Sequence, residues 1–310
     1  MPEFSLRDTF GESLVEYGSQ NEDIVVLDAD LSSSTRTYKF AEKFPNRFFN
    51  FGIAEQNMVG AAMGFAISRK IPIVSGFAIF TIGRAWEFIR MACHDNLNIK
   101  FVTTHAGFVG EDGSSHNALE DLSIMASLPN LNILVPCDSA ELRSMLKYAI
   151  NKDGPYYIRL PRSSLTQIHK QNYNYSKNQI DVIKNGKDLC IIGTGYGTSF
   201  ANENLDKLTQ KYDISIKLIN LSTVKPIPIE KLLNELKDID KVLVIEEHNL
   251  YCGVSSILAR YFSLRSPKLI KSIGIHNTFG ESGKREKILE NYGFSYRNIE
   301  EKIAKILNRK

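Results

Sequence analysis

The chain has 310 residues, of which 43% are hydrophobic and 24% are charged, and its formal net charge is +3. At about 100–200 residues per domain, this length predicts two globular domains, each able to bury a substantial core. The small net charge gives no reason to expect a nucleic acid or a membrane surface as a partner.

The sequence also argues against a secreted or membrane-spanning protein. No apolar run approaches the roughly 18 residues that a membrane span needs, and the N-terminus, MPEFSLRDTF, lacks the apolar core of a secretory signal. The four cysteines lie far apart and form no C-x-x-C pair, which favours reduced thiols over a disulfide framework. We therefore expect a cytoplasmic protein.

Short apolar segments alternate with helical patterns through the first half of the chain. Strands are predicted at 24–27, 48–53, 71–74, 100–104, 132–136 and 156–160. Helices are predicted at 4–20, 54–69, 86–96, 118–127 and 139–150. This alternation is typical of a mostly parallel sheet that is covered by helices on both faces.

A change of composition separates this half from a second α/β unit. Residues 167–183 are rich in Asn, Gln, Lys and Tyr and show no apolar periodicity, so we interpret them as a linker. Strands follow at 189–192, 214–219, 242–246 and 269–275, with helices at 197–211, 229–236 and 253–262, before a mildly basic tail. The predicted fold is α/β, with two doubly wound domains of mostly parallel strands at 1–166 and 184–310.

The second unit contains a glycine-rich turn, Gly193-Thr194-Gly195-Tyr196-Gly197, after its first strand. Such a turn suggests dinucleotide binding, but its spacing is G-x-G-x-G where the fingerprint needs G-x-G-x-x-G. No acidic residue stands clearly at the end of the next strand. A tight strand-to-helix turn is therefore the favoured interpretation.

Chemically active side chains follow the predicted strands of the first domain. They are Asp28 and Asp30 after the first strand, Glu55 after the second, Phe77 and Phe80 after the third, His105, Asp112 and His116 after the fourth, and Arg162 after the last. Because the carboxyl ends of parallel strands share one edge of a sheet, these residues are predicted to surround a single crevice.

Glu55 lies where an apolar strand meets a helix, and small residues follow it closely. Burial beside apolar and aromatic residues disfavours the charged form of a carboxyl group, so we expect a neutral acid that can donate a hydrogen bond to a ring nitrogen. The alternative role is structural, because the helix dipole favours a glutamate at a helix N-terminus.

Four segments resemble the transketolase family and the related deoxyxylulose-phosphate synthases. F-G-I-A-E-Q at 51–56 resembles the family's F-G-I-x-E-Q, and T-H-A-G-F-V-G-E-D-G-S-S-H at 104–116 resembles its T-H-D-S-I-G-x-G-E-D-G-P-T-H. L-D-A-D-L-S-S-S at 27–34 and Y-Y-I-R-L-P-R at 156–162 also match, in the right order. The resemblance implies a pyrimidine-binding domain followed by a transketolase C-terminal domain.

The same resemblance implies transfer of a two-carbon ketol unit from a phosphorylated ketose to an aldose, with thiamine diphosphate and Mg²⁺ as cofactors. Glu55, as a catalytic residue, would hydrogen-bond the pyrimidine ring and favour the tautomer that activates the cofactor. Phe80 and Phe77 would stack on that ring. Asp30 matches a family aspartate near the pyrimidine. Alternatively, the phenylalanines are core residues and Asp30 caps the next turn.

Substrate contacts follow from the resemblance as well. His116 would contact the reacting end of the ketose donor, which makes it the second catalytic candidate, and Asp112 would bind the C2 hydroxyl of the aldose acceptor. A guanidinium fork suits a phosphate group. The positions that match the family's sugar-phosphate site are His105, Arg162, Arg7 and Ser34. Two alternatives stay open: a metal site at His105, Asp112 and His116, and a solvated helix position for Arg7.

One family motif is missing from the sequence, the G-D-G segment that holds Mg²⁺ and the diphosphate together with a later asparagine. We therefore expect no metal ligands on this chain. A separate N-terminal subunit would supply the pyrophosphate site, in an α2β2 heterotetramer. The alternatives are a deoxyxylulose-phosphate synthase-like enzyme, the β subunit of a 2-oxoacid dehydrogenase, and a regulatory or scaffolding subunit without activity.

Overall fold

The structure is a computed structural model that describes residues 2–308. Its strands are β1 (Glu3–Phe4), β2 (Ile24–Asp28), β3 (Phe48–Asn50), β4 (Ile71–Phe77), β5 (Lys100–Ala106), β6 (Asn132–Leu134), β7 (Tyr156–Pro161), β8 (Leu165–Thr166), β9 (Asp181–Lys184), β10 (Leu189–Thr194), β11 (Ile216–Asn220), β12 (Thr223–Lys225), β13 (Lys241–Asn249) and β14 (Leu269–Ile275). Its helices are α1 (Leu6–Gln20), α2 (Ser32–Thr35), α3 (Tyr38–Lys43), α4 (Glu55–Ile67), α5 (Ala78–His94), α6 (Asp121–Ala126), α7 (Ser139–Ile150), α8 (Tyr196–Tyr212), α9 (Ile229–Glu235), α10 (Val254–Arg265), α11 (Arg285–Asn291) and α12 (Tyr296–Leu307). Short 3₁₀ helices cover Pro45–Arg47, Gly110–Asp112 and Ser114–His116.

Seven strands form the first sheet, in the order β12-β6-β7-β5-β4-β2-β3. Neighbouring strands run parallel except β12, which pairs antiparallel with β6. Strands β2 and β5 are buried along their whole length, as expected between two layers of helices. The chain adds β3 on one side of β2 and β4 on the other. The carboxyl ends of β2 and β4 therefore flank a topological switch point, where α/β sheets form their ligand crevices.

The second sheet has the order β14-β13-β10-β11-β9 and is parallel apart from the edge strand β9. Its apolar residues pack against α8 and α12 on one face. Another apolar cluster runs from α4 and α5 of the first half to β10 and α10 of the second, and so joins the halves. The predicted class, α/β with two mostly parallel sheets, is confirmed. No helix within residues 2–308 combines the length and apolar character needed to cross a bilayer.

Helix α5 begins at Ala78, not at residue 86 as the sequence predicts. Its first turns contain β-branched residues and Gly83, which weaken helix propensity. The backbone at Ala85 also departs from helical angles (φ −108°, ψ 15°). Packing of Ile82 and Ala85 into the core outweighs this weak local preference. The helix therefore includes Phe80, which the sequence prediction leaves in a loop.

Two further differences concern the second half. The predicted basic tail contains α11 and α12, and α12 buries Ile299, Ile303 and Ile306 on one face, the pattern of an amphipathic helix. The end of the predicted linker, residues 181–183, is part of a strand, because Asp181–Lys184 forms β9 and pairs with β11. The strand has no apolar run of its own, so local sequence contains no signal for it.

Close packing explains the glycines of the 193–197 turn. A Cβ atom on Gly193 would lie 2.5 Å from Thr198 Cα, and one on Gly197 would lie 2.1 Å from the carbonyl oxygen of Ile245. Glycine is therefore required at both positions for helix α8 to approach the sheet. This geometry agrees with the tight-turn interpretation of the motif.

A buried polar cluster joins the linker to both halves of the chain. His169 hydrogen-bonds Asp138 Oδ2 through Nδ1 (2.9 Å) and Asp181 Oδ2 through Nε2 (2.8 Å). Asn220 donates to Asp181 Oδ2 (3.0 Å) and to the carboxylate of Glu141. Burial alone lowers the pKa of His169, but the hydrogen bonds to the two aspartates outweigh it and raise the pKa to about 10. The imidazole is therefore charged at neutral pH, between two carboxylates.

We expect this histidine to make stability depend on pH. Its folded pKa lies above its unfolded value of about 6.5, so its contribution is complete below that pH and is lost as the pH rises toward 10. Replacing His169 with Gln should lower the free energy of unfolding by roughly 3 kcal/mol near pH 6, because it leaves buried carboxylates unpaired. The difference in free energy of unfolding between wild type and His169→Gln should decrease steadily toward pH 10. Urea unfolding across this range measures it.

His94 provides a matched control, because its contact with Asp95 is exposed to solvent. His94→Gln should change the free energy of unfolding by less than about 1 kcal/mol at any pH in this range. If wild type and His169→Gln lost stability in parallel from pH 6 to pH 10, other groups would be responsible for the trend.

Candidate functional site

The carboxyl edge of the first sheet brings most of the predicted site residues together. Glu55 is the first residue of α4, which follows β3 after a short turn, and Phe77 is the last residue of β4. Phe80 lies in the first turn of α5. His105 lies near the end of β5, and Arg162 directly follows β7. Residues from four strand ends thus surround one crevice.

Glu55 is 4% exposed, and its Oε1 accepts a hydrogen bond from Arg84 Nη1 at 2.7 Å. The guanidinium carbon of Arg84 also lies 4.3 Å from the centre of the Phe80 ring. Glu55, Arg84 and Phe80 therefore form one contact group. The sequence predicts a buried, neutral acid at position 55. The residue is buried, but its partner in this structure is a cation, so the contact is an ion pair.

Four rings form a connected group beside this ion pair. Phe77 stacks on His105 at a centroid distance of 3.7 Å and lies 5.8 Å from Phe80. His116 meets Phe80 edge-on, at 5.1 Å and 71°. Phe77 is buried, whereas Phe80 is only half-buried. Phe80 is therefore the ring with surface left for a ligand, and Phe77 supports it and His105 from behind.

Cationic side chains surround His105. Burial, followed by the charges of Arg7 and Arg162, lowers the pKa of His105 to about 3, and Arg36 adds to the effect. The imidazole is therefore neutral at physiological pH, and its Nδ1 lies 2.8 Å from Thr104 Oγ1. We call His105 and these three arginines the cationic pocket. Arg36 pairs with Asp8 and Arg162 pairs with Asp112, so the group keeps a net positive charge, which attracts anions.

Each of two arginines in the pocket already makes one polar contact. Arg162 Nε lies 3.1 Å from Asp112 Oδ2, and both side chains are partly exposed. Arg7 Nη1 donates to the backbone oxygen of Ser34 (3.0 Å). Arg7 Nε is buried and, among residues 2–308, meets no acceptor. A phosphate oxygen is a suitable acceptor for such an unused guanidinium N–H.

Asp30 lies at the same sheet edge, on the loop after β2. Its backbone N–H donates to Asn50 Oδ1 (3.1 Å), and its side chain is exposed. The neighbouring Asp28 is the last residue of β2 and is buried. Its Oδ2 accepts hydrogen bonds from Thr35 Oγ1 (2.9 Å) and Thr37 Oγ1 (3.0 Å). Asp28 therefore fixes the position of the short helix α2, which contains Ser34, while the exposed carboxylate of Asp30 is accessible to a ligand.

The residues around Glu55 fit an aminopyrimidine ring. A surface cavity of about 520 Å³ is lined by residues 53–57 and by Arg84. The buried carboxyl group of Glu55 and the half-buried face of Phe80 both contact the Arg84 side chain. A flat, nitrogen-containing ring could make both contacts in its place.

A group of possible metal ligands lies elsewhere in the described part of the chain. Cys137, Asp138 and His169 each offer one ligand atom, and these atoms lie within 4.8 Å of one another. Both ring nitrogens of His169 already have carboxylate partners, and Asp138 Oδ1 accepts the backbone N–H of Glu141 as the cap of α7. The cluster is fully accounted for as a structural ion pair. The alternative metal site at His105, Asp112 and His116 gains no support from residues 2–308.

Sequence reasoning missed two cationic residues of the site. Arg84 follows Phe80 by four residues, and this spacing puts both on one face of a helix. The signal is therefore available once α5 is extended back to Ala78. Arg36 follows α2 and pairs with Asp8 of α1 at 2.8 Å. That contact joins distant segments and has no local sequence signal.

The second half of the chain supports the segment that follows β5 and contains His116. Glu247 Oε1, near the end of β13, accepts hydrogen bonds from Phe108 N (2.9 Å) and Arg285 Nη2 (2.7 Å). Gly107 has a left-handed backbone (φ +79°), and a Cβ atom there would lie 2.6 Å from Glu247 Cδ. The C-terminal half therefore holds the start of the substrate-side loop in position.

Known families match the two halves separately. The family "Transketolase, pyrimidine binding domain" matches residues 3–167, and "Transketolase, C-terminal domain" matches residues 178–299. A protein of Methanocaldococcus jannaschii with the provisional name transketolase C-terminal section is 38% identical over 98% of this chain and 96% of its own length. A 6-deoxy-6-sulfo-D-fructose transketolase subunit of a Clostridium species is 30% identical over 100% of this chain and 97% of its own length.

Longer relatives and solved structures agree with this match. The 1-deoxy-D-xylulose-5-phosphate synthase of Carboxydothermus hydrogenoformans is 33% identical over 99% of this chain, and the match spans 50% of its own length. A split gene transketolase, solved as an inactive beta4 tetramer, has a TM-score of 0.90 and 38% identity, with full coverage of both chains. The Campylobacter jejuni transketolase shares the fold, with a TM-score of 0.84 at 24% identity over 47% of its chain. The chain therefore belongs to the transketolase family, in which it corresponds to the pyrimidine-binding and C-terminal domains.

Proposed function

We propose that this chain is the C-terminal subunit of a thiamine diphosphate-dependent transketolase, which transfers a two-carbon ketol unit from a phosphorylated ketose to an aldose. The single observation that supports this most directly is the contact group of Glu55, Arg84 and Phe80. There a buried acid and an aromatic face contact the same guanidinium, which lines a cavity of about 520 Å³ together with Glu55, and the cationic pocket lies nearby. A pyrimidine ring needs the first two, and a sugar phosphate needs the third.

When bound, thiamine diphosphate supplies the nucleophilic carbon that lets a C–C bond break and re-form. Glu55, in this proposal, holds a proton beside the pyrimidine nitrogen and hydrogen-bonds it. Phe80 provides the stacking face, and Phe77 holds that ring and His105 in place. Asp30 is exposed on the adjoining loop and would approach the same end of the cofactor.

We assign the substrate phosphate to the cationic pocket. The neutral imidazole of His105 can donate a hydrogen bond without adding charge, and Arg7 has an unused N–H. Two guanidiniums together with a neutral donor suit a phosphate dianion. The full set of proposed phosphate-side residues is His105, Arg162, Arg7 and Ser34.

The reacting part of the sugar would lie between that pocket and Phe80. His116 contacts the Phe80 ring and is half-buried, so it can reach both the cofactor cavity and a bound ketose. Asp112 is partly exposed and pairs with Arg162. A sugar hydroxyl can replace part of that ion pair, which would couple acceptor binding at Asp112 to phosphate binding at Arg162.

A separate subunit is needed for the rest of the cofactor. This sequence contains no G-D-G segment for Mg²⁺ and diphosphate, so we infer an N-terminal pyrophosphate-binding partner, in an assembly of two copies of each chain. Two similar proteins are themselves named as transketolase subunits. They are the sulfofructose enzyme above and an apulose-4-phosphate enzyme from Actinobacillus succinogenes. We infer a cytoplasmic location, because all four cysteines are free thiols.

A deoxyxylulose-phosphate synthase is the second candidate, because its members match this chain at up to 33% identity over half their length. A 2-oxoacid dehydrogenase β subunit is less well supported, since the cationic pocket suits a sugar phosphate better than a simple 2-oxoacid. A purely regulatory subunit would have no need for a buried acid beside an accessible aromatic ring.

The expected result is that the chain alone shows no turnover and gains it with its partner. The chain should be mixed with a G-D-G-containing transketolase subunit from the same genome, thiamine diphosphate and Mg²⁺. Product is then measured with xylulose 5-phosphate and ribose 5-phosphate, and in parallel with pyruvate and glyceraldehyde 3-phosphate. Full turnover by the lone chain would refute the two-subunit arrangement. Activity with pyruvate alone would assign synthase chemistry instead.

A further inference from the structure

Arg84 makes both of the contacts that the proposed function assigns to the cofactor ring. Its Nη1 donates to Glu55 Oε1 at 2.7 Å, and its guanidinium carbon lies 4.3 Å from the centre of the Phe80 ring. A neighbouring side chain holds its backbone, because Gln56 Nε2 donates to the Arg84 carbonyl oxygen at 3.1 Å. One cation thus satisfies the acid and covers the aromatic face at the same time.

We propose that Arg84 occupies the aminopyrimidine site of this chain when the cofactor is absent, and that it must leave for the ring to bind. The inference rests on the proposed function. A guanidinium is flat and delocalised, so it can stack on an aromatic ring and hydrogen-bond a carboxylate in one pose. An aminopyrimidine has the same combination of a flat face and nitrogen edges, so the two groups compete for one place.

The different burial of Glu55 and Arg84 explains how their contact can be both stabilising and reversible. Glu55 is only 4% exposed, and a buried carboxylate without a partner is strongly unfavourable. The side chain of Arg84 is 46% exposed, so it can swing into solvent without disturbing the core. Arg84 therefore stabilises the chain before the cofactor arrives and can be displaced afterwards.

Displacement of Arg84 has two consequences for the cofactor. Part of the binding energy is used to break the ion pair, so the affinity for the ring is lower than the site could otherwise reach. Departure of the cation also frees the buried carboxyl group of Glu55 and the face of Phe80, so that both can contact the ring. Cofactor binding and the availability of the Glu55 carboxyl group are thus linked through the Arg84 side chain.

The test compares thiamine diphosphate binding by wild type, Arg84→Met and Arg90→Met. Arg90 lies on the same helix and is exposed, so it is the matched control. Trp86 is the one tryptophan of the sequence and lies on the same helix as Arg84, so its fluorescence is recorded as a first readout that needs no turnover. The titration is made with thiamine diphosphate and Mg²⁺, on the chain alone and on the assembled enzyme, and is repeated by calorimetry.

Arg84→Met should bind thiamine diphosphate about tenfold more tightly than wild type. In this variant the ring no longer has to break the charge-assisted hydrogen bond between Arg84 and Glu55 in order to bind. Arg90→Met should match wild type. Arg84→Gln, which is neutral and cannot cover the ring, should shift affinity in the same direction and serves if the methionine variant does not fold. Unchanged or weaker binding by the folded Arg84 variants would overturn the inference and leave the proposed function standing. If wild type and variants all fail to bind, alone and assembled, the proposed function falls and this inference falls with it.

Discussion

Replacing Glu55 with Gln is expected to lower the kcat of the assembled enzyme on the order of a thousandfold, the usual contribution of one positioned acid or base. The amide has nearly the same shape as the carboxyl group and can still fill the space beside Arg84. It cannot, however, pass a proton to and from a ring nitrogen. The loss should therefore appear in kcat, measured in single- and multiple-turnover assays, more than in the KM for the sugar phosphate.

The fold of this variant should remain intact, because the contact that is lost has an exposed partner. Glutamine is uncharged, so it leaves no buried charge at position 55, and the guanidinium of Arg84 is 46% exposed and is solvated once the ion pair is lost. Glu87→Gln is the matched control, since Glu87 is an acid on the neighbouring helix α5 that lies outside the contact group of Glu55. Its kcat should equal that of wild type. Near-normal turnover by Glu55→Gln would remove Glu55 from the mechanism.

The candidate site could be predicted from the sequence where each residue follows a strand. Glu55, Phe77 and His105 are local features of strand ends, and the parallel sheet brings strand ends together whatever the side chains between them. The ionic partner of Glu55 could not be predicted in the same way. Arg84 contacts Glu55 only because α5 begins at Ala78, well before the position that its weak propensity indicates, and tertiary packing decides where such a helix starts.

The contacts by which the second half supports the site could not be predicted from the sequence either. Glu247 lies in an apolar strand that predicts burial but no partner, and it meets Phe108 only because β13 ends opposite the loop after β5. Likewise, β12 completes the first sheet from within the second half, through an antiparallel pairing with β6 that no local pattern indicates. Sequence patterns thus predict the two sheets better than they predict how the sheets are joined.

One buried network joins the halves most directly. Arg159 on β7 makes a bidentate contact with Asp121 (Nε–Oδ2 2.6 Å, Nη2–Oδ1 3.0 Å) and donates to the backbone oxygen of Glu247 (3.1 Å). Tyr157 also donates to Asp121 Oδ2 (2.6 Å). Leu122 N also donates to His248 Nε2 (3.1 Å), so the second half accepts two hydrogen bonds from this network.

The ionisation of this network follows its geometry. Burial raises the pKa of Asp121, but the charge of Arg159 and the hydrogen bonds outweigh it, so the pKa lies below its usual range. Burial lowers the pKa of His248 to about 4. The histidine is therefore neutral, and the network contains a single ion pair. The stabilisation by the Arg159–Asp121 ion pair is present above the unfolded aspartate pKa of about 3.9. It is lost as the pH falls through the lower pKa of Asp121 in the folded state.

Arg159→Met is expected to lower the free energy of unfolding by about 3–5 kcal/mol at neutral pH, because it leaves Asp121 buried without its cation. Arg143→Met is the matched control, since Arg143 makes a surface ion pair with Glu16 and should contribute about 0–1 kcal/mol. Urea unfolding measures both. The double variant Arg159→Met, Asp121→Leu should recover part of the loss, because an apolar pair leaves no buried charge. A loss for Arg159→Met as small as that for Arg143→Met would mean that the network does not hold the two halves together.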